Sequence, residues 1–277
     1  LLGEHETRVI ALLLLAPALA YADRRDQAAA CFEEAMALCA STGDEFHLAV
    51  AHINRQVLWM KEYEIDRAVA DLQACMELSR RLGNAQLERP ATFNLAELLY
   101  WRGDMDAALR LARRSRDMQQ RFVREPVYDE ALLLARILWR SDPDAARAHM
   151  DWLAAHCQRD TWPPHAHVLH GMMEQVLTAL ACGHTDHAAW EALATQAQAH
   201  APLDEHREIL VTVVELACRC GQLEEARHWM HRARAVARGA HLWIGRLDEI
   251  AWQWDCGAAD HSGGEPAGGE PGHARRA

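Results

Sequence analysis

The chain repeats itself every 40 residues, and no other feature limits its fold as strongly. The segments "LLAPALAYADRRDQAAACFEEA" (14–35), "NRQVLWMKEYEIDRAVADLQAC" (54–75) and "NLAELLYWRGDMDAALRLARRS" (94–115) follow one plan. Each is an apolar helical stripe, a short polar turn, and a second helix that opens on an alanine. Ala28, Ala68 and Ala108 share one register position. Phe32, Leu72 and Ala112 share the next inward one, and Ala35, Cys75 and Ser115 the one after. Gly43 and Gly83, also 40 residues apart, stand where helix-stopping glycines belong.

Self-similarity at a fixed period of this size predicts a solenoid. A single helical hairpin cannot bury its apolar faces, so neighbouring hairpins must stack and share a core. The pattern continues with uneven steps through "LARILWRSDPDAARAHM" (134–150), "LTALACGHTDHAAWEAL" (177–193) and "VELACRCGQLEEARHWMHRA" (214–233). Ala146, Ala188 and Ala226 continue the alanine series, so that six small residues let the paired helices approach closely. A larger side chain there would cost about 1–3 kcal/mol through overpacking. A last apolar helix over about 240–255 has no partner after it. Abundant Ala, Leu, Glu and Arg favour helix, while no segment alternates in polarity as a strand does. The expectation is an all-α, right-handed α-solenoid of about six hairpins plus a C-terminal capping helix, over residues 1–255. Residues 256–277, with Gly-Gly-Glu-Pro twice, have too little apolar surface to order and should be a disordered tail.

"NLAELLYWRGDMDAALRLA" resembles a tetratricopeptide repeat: Asn94-Leu95-Ala96 opens the unit, Gly103-Asp104-Met105 with Ala108 makes the turn, and Ala112 follows. Residues 211–233 match nearly as well. Two departures stand out: a spacing of 38 to 42 residues against the usual ~34, and a closing proline that is mostly absent. Long Ala/Arg/Leu-rich repeats of this kind also resemble the C-terminal arrays of large multidomain bacterial signalling proteins, which carry a Ser/Thr kinase or a regulatory ATPase upstream. The segments 46–59 and 87–104 carry that likeness, and a chain beginning without Met suits a fragment of such a protein. The resemblance implies a non-catalytic scaffold that binds a protein or peptide partner, or another domain of its own parent.

"RVIALLLLAPALAYAD" (8–23) competes with this reading, because it looks like a secretory signal with a small-x-small cleavage site. The repeat offers a better account. Leu14 aligns with Asn54 and Asn94, and Asp23 aligns with Tyr63 and Gly103 at the turn within each unit. Cutting there would leave Ala28, Phe32 and Ala35 facing nothing. Pro17 is the residue that resists, since it removes a backbone donor in mid-helix and should kink or interrupt it. Eight cysteines, mostly among apolar residues at helical spacing, suit a reducing cytoplasm better than a disulfide framework.

The formal net charge of −11 argues against general nucleic-acid binding, which needs a basic surface. Arg110, Arg113, Arg114, Arg116 and Arg121 should spread around the solvated face of one helix. No apolar run after residue 23 is long enough to span a membrane. No nucleotide-binding loop, nucleophile elbow or kinase signature occurs. No cofactor and no metal site are expected. Cys218, Cys220, His228 and His231 do not converge, because residues two apart on a helix point in nearly opposite directions. Cys182, His184 and His187 are as weak a set, as are His165, His167 and His170, in a chain with 17 histidines.

Binding has better support. First helices line the concave face in this repeat class. Register places Tyr21, Asn54, Met60, Lys61, Asn94, Glu97, Tyr100, Trp101, Trp139, Glu174, Glu215 and Arg219 on or near that face. Aromatics among polar groups make a peptide groove, although Trp101 and Trp139 would equally suit packing between units. A clamp for a C-terminal carboxylate would pair Asn54 and Asn94 with cations one turn away. Ile10, Val50 and Pro90 stand there instead, with only Lys61 nearby. The leading expectation is an interaction module attached to a signalling enzyme. A free-standing exported adaptor comes second, and a metal-dependent enzyme last.

Overall fold

A computed structural model describes residues 2–122 and 127–254; the glycine-rich segment expected as a disordered tail lies outside them. Thirteen α-helices occur among the described residues: α1 (Leu2–Tyr21), α2 (Arg25–Thr42), α3 (Glu45–Glu62), α4 (Ile65–Arg81), α5 (Ala85–Arg102), α6 (Met105–Phe122), α7 (Asp129–Leu138), α8 (Pro143–His156), α9 (Pro164–Cys182), α10 (His187–His200), α11 (Leu203–Arg219), α12 (Leu223–Val236) and α13 (His241–Trp254). A 3₁₀ turn at Arg159–Thr161 precedes α9. Consecutive helices pair as six hairpins that stack on their neighbours, and α13 packs against α11 and α12 as a terminal cap. The α-solenoid predicted by the periodicity is therefore present.

Turn chemistry follows the 40-residue step. Asp23, Tyr63 and Gly103 all take left-handed backbone angles, with φ of 59°, 57° and 93°. Glycine adopts that conformation freely, whereas Asp and Tyr adopt it at a cost of about 1–2 kcal/mol. Between units, the left-handed Gly43 and Gly83 stop α2 and the chain after α4. Asp44 and Asn84 follow them and cap the next helices by accepting from the backbone N–H of His47 and Leu87.

Helix α1 belongs to the core. Val9, Leu13, Ala16, Leu19 and Ala20 are buried, while Ile10, Leu14 and Leu15 face outward. The helix is continuous past Pro17, so the expected interruption does not occur. Pro17 has no N–H to give to the Leu13 carbonyl, and that carbonyl instead accepts from the Asn54 amide at 3.3 Å. A side chain of the second unit thus replaces the bond missing from the first.

The alanine series holds at five of six positions. Ala28, Ala68, Ala108, Ala146 and Ala226 are fully buried, and each is the fourth residue of its helix. Ala188 is exposed. The cause is a longer turn: α10 begins four residues after Gly183, while α6 begins two after Gly103 and α12 two after Gly221. The fourth residue of α10 is therefore Trp190, fully buried, with its indole N–H unpaired. Arg116 is a second correction. It is not on the solvated face but buried at 7% exposure, with its guanidinium 3.7 Å from the Trp152 ring centre.

No described helix is long and apolar enough to cross a membrane. No disulfide joins the described cysteines to one another. Cys39 and Cys75 sit in the core as small apolar groups, and burial pushes each thiol up to about 11.

Candidate functional site

The first helices α1, α3, α5, α7, α9 and α11 define the inner side of the coil, and its two halves differ. In the second half, charged groups fill it. Arg136 on α7 is 2% exposed. It donates from Nη1 to Glu97 on α5 at 2.7 Å and from Nε to Glu208 on α11 at 2.8 Å, with a further short contact from Nη2 to Glu208. The Trp101 indole N–H also donates to Glu208, at 2.8 Å. One turn along, Arg140 grips Glu215 through Nε at 3.0 and 2.9 Å and reaches the Tyr100 hydroxyl at 3.4 Å. Burial pushes the Glu215 carboxyl up, but Arg140, Arg246 and Arg219 outweigh it and hold the group below the usual range. Helix α11 therefore lies across the inner side and closes the coil onto α5. Trp101 meets Trp243 of α13 there, with ring centres 5.9 Å apart.

One acid of the closure stands outside these pairs. Glu205 has a buried Oε2 with no hydrogen-bond partner among the described residues. Burial pushes its carboxyl up to about 8, with Glu97, Glu208 and Asp204 adding to the rise and Arg136 opposing it. Glu97 is likewise raised, chiefly by burial and against the pull of Arg136.

In the first half, the same side stays open. A cavity of about 600 Å³ lies between the C-terminal ends of α1, α3 and α5 and the first turn of α11. Val57, Met60, Leu98, Trp101 and Leu203 give it an apolar wall, and Tyr21 and Tyr63 flank it. Five of its charged groups are already committed. Arg207 bonds Asp204 at 3.0 Å and the Val236 carbonyl at 3.1 Å, and lies 5.3 Å from the Tyr63 ring centre. Arg25 bonds Asp23 at 3.0 Å, and Glu97 is held by Arg136. Lys61 makes no ion pair among the described residues; its Nζ lies 5.7 Å from the Tyr21 ring centre. The amides of Gln56 and Asn94 line the cavity and make no hydrogen bond among the described residues. Free amides beside one free ammonium and an apolar wall suit an extended peptide with an acidic group.

The structure gathers six of the sequence-derived groove residues around this cavity: Tyr21, Met60, Lys61, Asn94, Glu97 and Trp101. Asn54 lies on α3 just before the lining residues Gln56 and Val57, with its amide spent on the Leu13 carbonyl. Tyr100, Trp139 and Glu215 are buried at 3%, 0% and 5% exposure, and Trp139 lies beneath the guanidinium of Arg140. Arg219 stands at the rim of the closed half, bonded to the Arg140 carbonyl at 3.2 Å. Glu174 is exposed on α9, 3.7 Å from Arg159 and outside the cavity. The far wall of Pro202, Leu203, Asp204 and Arg207 has no counterpart in the sequence reading. It lies 100 residues beyond the end of α5 and 140 beyond the end of α3, and no local pattern announces so distant a contact.

The three histidine and cysteine sets do not converge as the sequence groups them. His170 of the third set bonds Arg159 at 2.9 Å, and Cys218 is buried. A different set does converge, with one histidine drawn from each of the other two: His187, Glu191 and His228.

No protein-family model matches the chain, and no curated protein matches it in sequence. Among solved structures, it is similar to the crystal structure of a Rap protein complexed with Competence and Sporulation Factor, with a TM-score of 0.54 and 13% sequence identity. The similarity covers 93% of this chain and 84% of that chain. At that identity the likeness is one of fold.

Proposed function

We propose that this chain is a non-catalytic protein-interaction scaffold whose open half-groove binds a short extended peptide segment. The observation that carries the reading is the set of uncommitted groups in one cavity: Lys61, Gln56 and Asn94 beside the Met60–Trp101 wall. Backbone amides of a peptide pair with the two side-chain amides. An acidic side chain or terminal carboxylate pairs with Lys61, and a neighbouring apolar side chain fills the wall between Met60 and Leu203. A fold-level neighbour that forms a complex with a named factor is in keeping with a binding role.

The scaffold serves as the sensor or regulatory module of a larger multidomain signalling protein of the kinase or ATPase type, in the cytoplasm. The integral role of α1 and the buried thiols support that compartment. Occupancy of the cavity would bridge α11 to α1, α3 and α5, so ligand binding bears directly on the closure of the coil.

A display pool of short peptides, selected on the whole chain, tests this. Enriched sequences should place an acidic group next to a large apolar one. Lys61→Ala should then weaken a selected peptide about ten- to a hundredfold, the loss of one charge-assisted bond. Asn94→Ala should weaken it less, and neither should shift the melting temperature. Peptides without acidic groups, or equal binding to Lys61→Ala, would refute the assignment.

A further inference from the structure

We propose that His187, Glu191 and His228 form a binding site for one divalent transition-metal ion of the zinc class, on the outer side of the fifth and sixth hairpins. His187 is the first residue of α10, Glu191 lies one turn on, and His228 comes from α12, the second helix of the next hairpin. Their donor atoms lie within 4.8 Å of one another. Glu191 Oε1 is 3.6 Å from His228 Nε2 and 4.0 Å from His187 Nε2. Tetrahedral zinc with bonds of 2.0–2.1 Å needs donors about 3.4 Å apart. Both imidazoles are half-exposed, so small side-chain rotations bring the set to that spacing without moving the backbone.

The supporting residues favour the same use. Glu225 Oε1 sits 2.7 Å from His187 Nδ1, which places the ring proton on Nδ1 and leaves the Nε2 lone pair turned toward Glu191. A carboxylate behind a histidine, on the side away from the metal, orients the ring and raises its basicity. Glu225 is itself held by the indole N–H of the buried Trp229. Arg232 holds Glu191 Oε2 at 2.6 Å, which leaves Oε1 to face the two rings. Two carboxylates and one guanidinium give the cluster a net negative charge before any ion binds. Two imidazole nitrogens and one carboxylate oxygen suit zinc, nickel or copper rather than calcium or magnesium, which take all-oxygen sites. Three protein donors leave one coordination position for water.

The longer turn that displaces Ala188 also creates the set, because it starts α10 at His187 directly opposite α12. An ion here joins the second helices of two hairpins at the one unit whose close-packing alanine is replaced by Trp190.

The test uses the full chain without an affinity tag, stripped of metal and titrated with Co2+ and then Zn2+. The expected result is one equivalent of Co2+ with the visible absorption of a low-coordinate site, displaced by Zn2+. His187→Ala and His228→Ala should each abolish that spectrum, while His241→Ala, at the exposed start of α13, keeps it. Glu225→Gln should weaken binding about ten- to a hundredfold. The metal-free variants should melt where the metal-free parent does, and Zn2+ should raise the melting temperature of the parent and of His241→Ala but not of His187→Ala or His228→Ala. Failure of the parent to take up Co2+, or an unchanged spectrum in both histidine variants, would overturn the proposal.

Discussion

Two buried carboxylates show how differently the two halves of this solenoid are held. Asp71, in the second hairpin, is 3% exposed and finds its partners inside that hairpin. It accepts from Arg55 at 2.6 and 2.8 Å, from the Trp59 indole at 2.6 Å, and sits 2.7 Å from His52 Nδ1. Glu208, in the sixth hairpin, is 2% exposed and takes its partners from the third and fourth hairpins, through Trp101 and Arg136. The first arrangement stiffens one repeat and leaves the inner side of the coil open. The second ties distant repeats together and fills that side. Nearest-neighbour stacking, the ordinary rule for solenoids, describes the first half and fails for the second.

Removing Arg136 should break that comparison most severely. Arg136→Ala leaves the buried Glu208 and the part-buried Glu97 without their cation and should cost about 3–5 kcal/mol, read by denaturant unfolding of the whole chain. A loss much below that would mean that the closure opens locally and lets water reach the acids.

Next in size is the response to pH, where the two halves should differ in sign. Asp71 is held at about 2 against an ordinary 3.8, because Arg55, His52 and Trp59 together outweigh the burial that would raise it. Its folded pKa lies below the unfolded one. Its contribution of about 2 kcal/mol is therefore full above pH ~4 and is lost as pH falls toward 2. Asp71→Asn should remove that acid sensitivity. Glu205 is raised by burial from 4.5 to about 8. The folded state keeps its proton while the unfolded state releases it, so stability falls as pH rises from about 4.5 to 8. Glu205→Gln should stabilise the chain at pH 8 and change little at pH 4. Melting curves from about pH 2 to pH 8 read both effects, and a parallel response of the two variants would refute the contrast.

The smallest effects test the alanine register. Ala68→Leu should destabilise by about 1–3 kcal/mol through overpacking. Ala188→Leu, at the exposed position, should stay within about 0.5 kcal/mol. Equal costs would mean that the longer turn before α10 does not shift the helix by two residues.

These contrasts follow what was legible in the sequence. The first three hairpins could be read residue by residue, because a strict 40-residue step keeps every turn, cap and small residue in register. The fifth could not: two extra residues between Gly183 and α10 changed which residue meets the partner helix, and an alanine aligned by its distance from a glycine was the wrong one. The groove was half legible. Tyr21, Met60, Lys61, Asn94, Glu97 and Trp101 follow from repeat register alone. Tyr100 and Trp139 follow the same register yet are buried, because α11 and its neighbours cover them.

The sequence by itself determined the helices, their pairing, the order of the stack and the membership of α1 in it. Those properties rest on local periodicity and on turn chemistry within about 40 residues, and each recurs often enough to be read against its copies. Only the tertiary structure decided where the coil closes, which part of the inner side remains a cavity, and which histidines meet across α10 and α12. Those outcomes depend on the small rotation between successive hairpins, summed over the stack, and a sum of small angles brings Glu208 to Trp101 without leaving any mark on the residues between them.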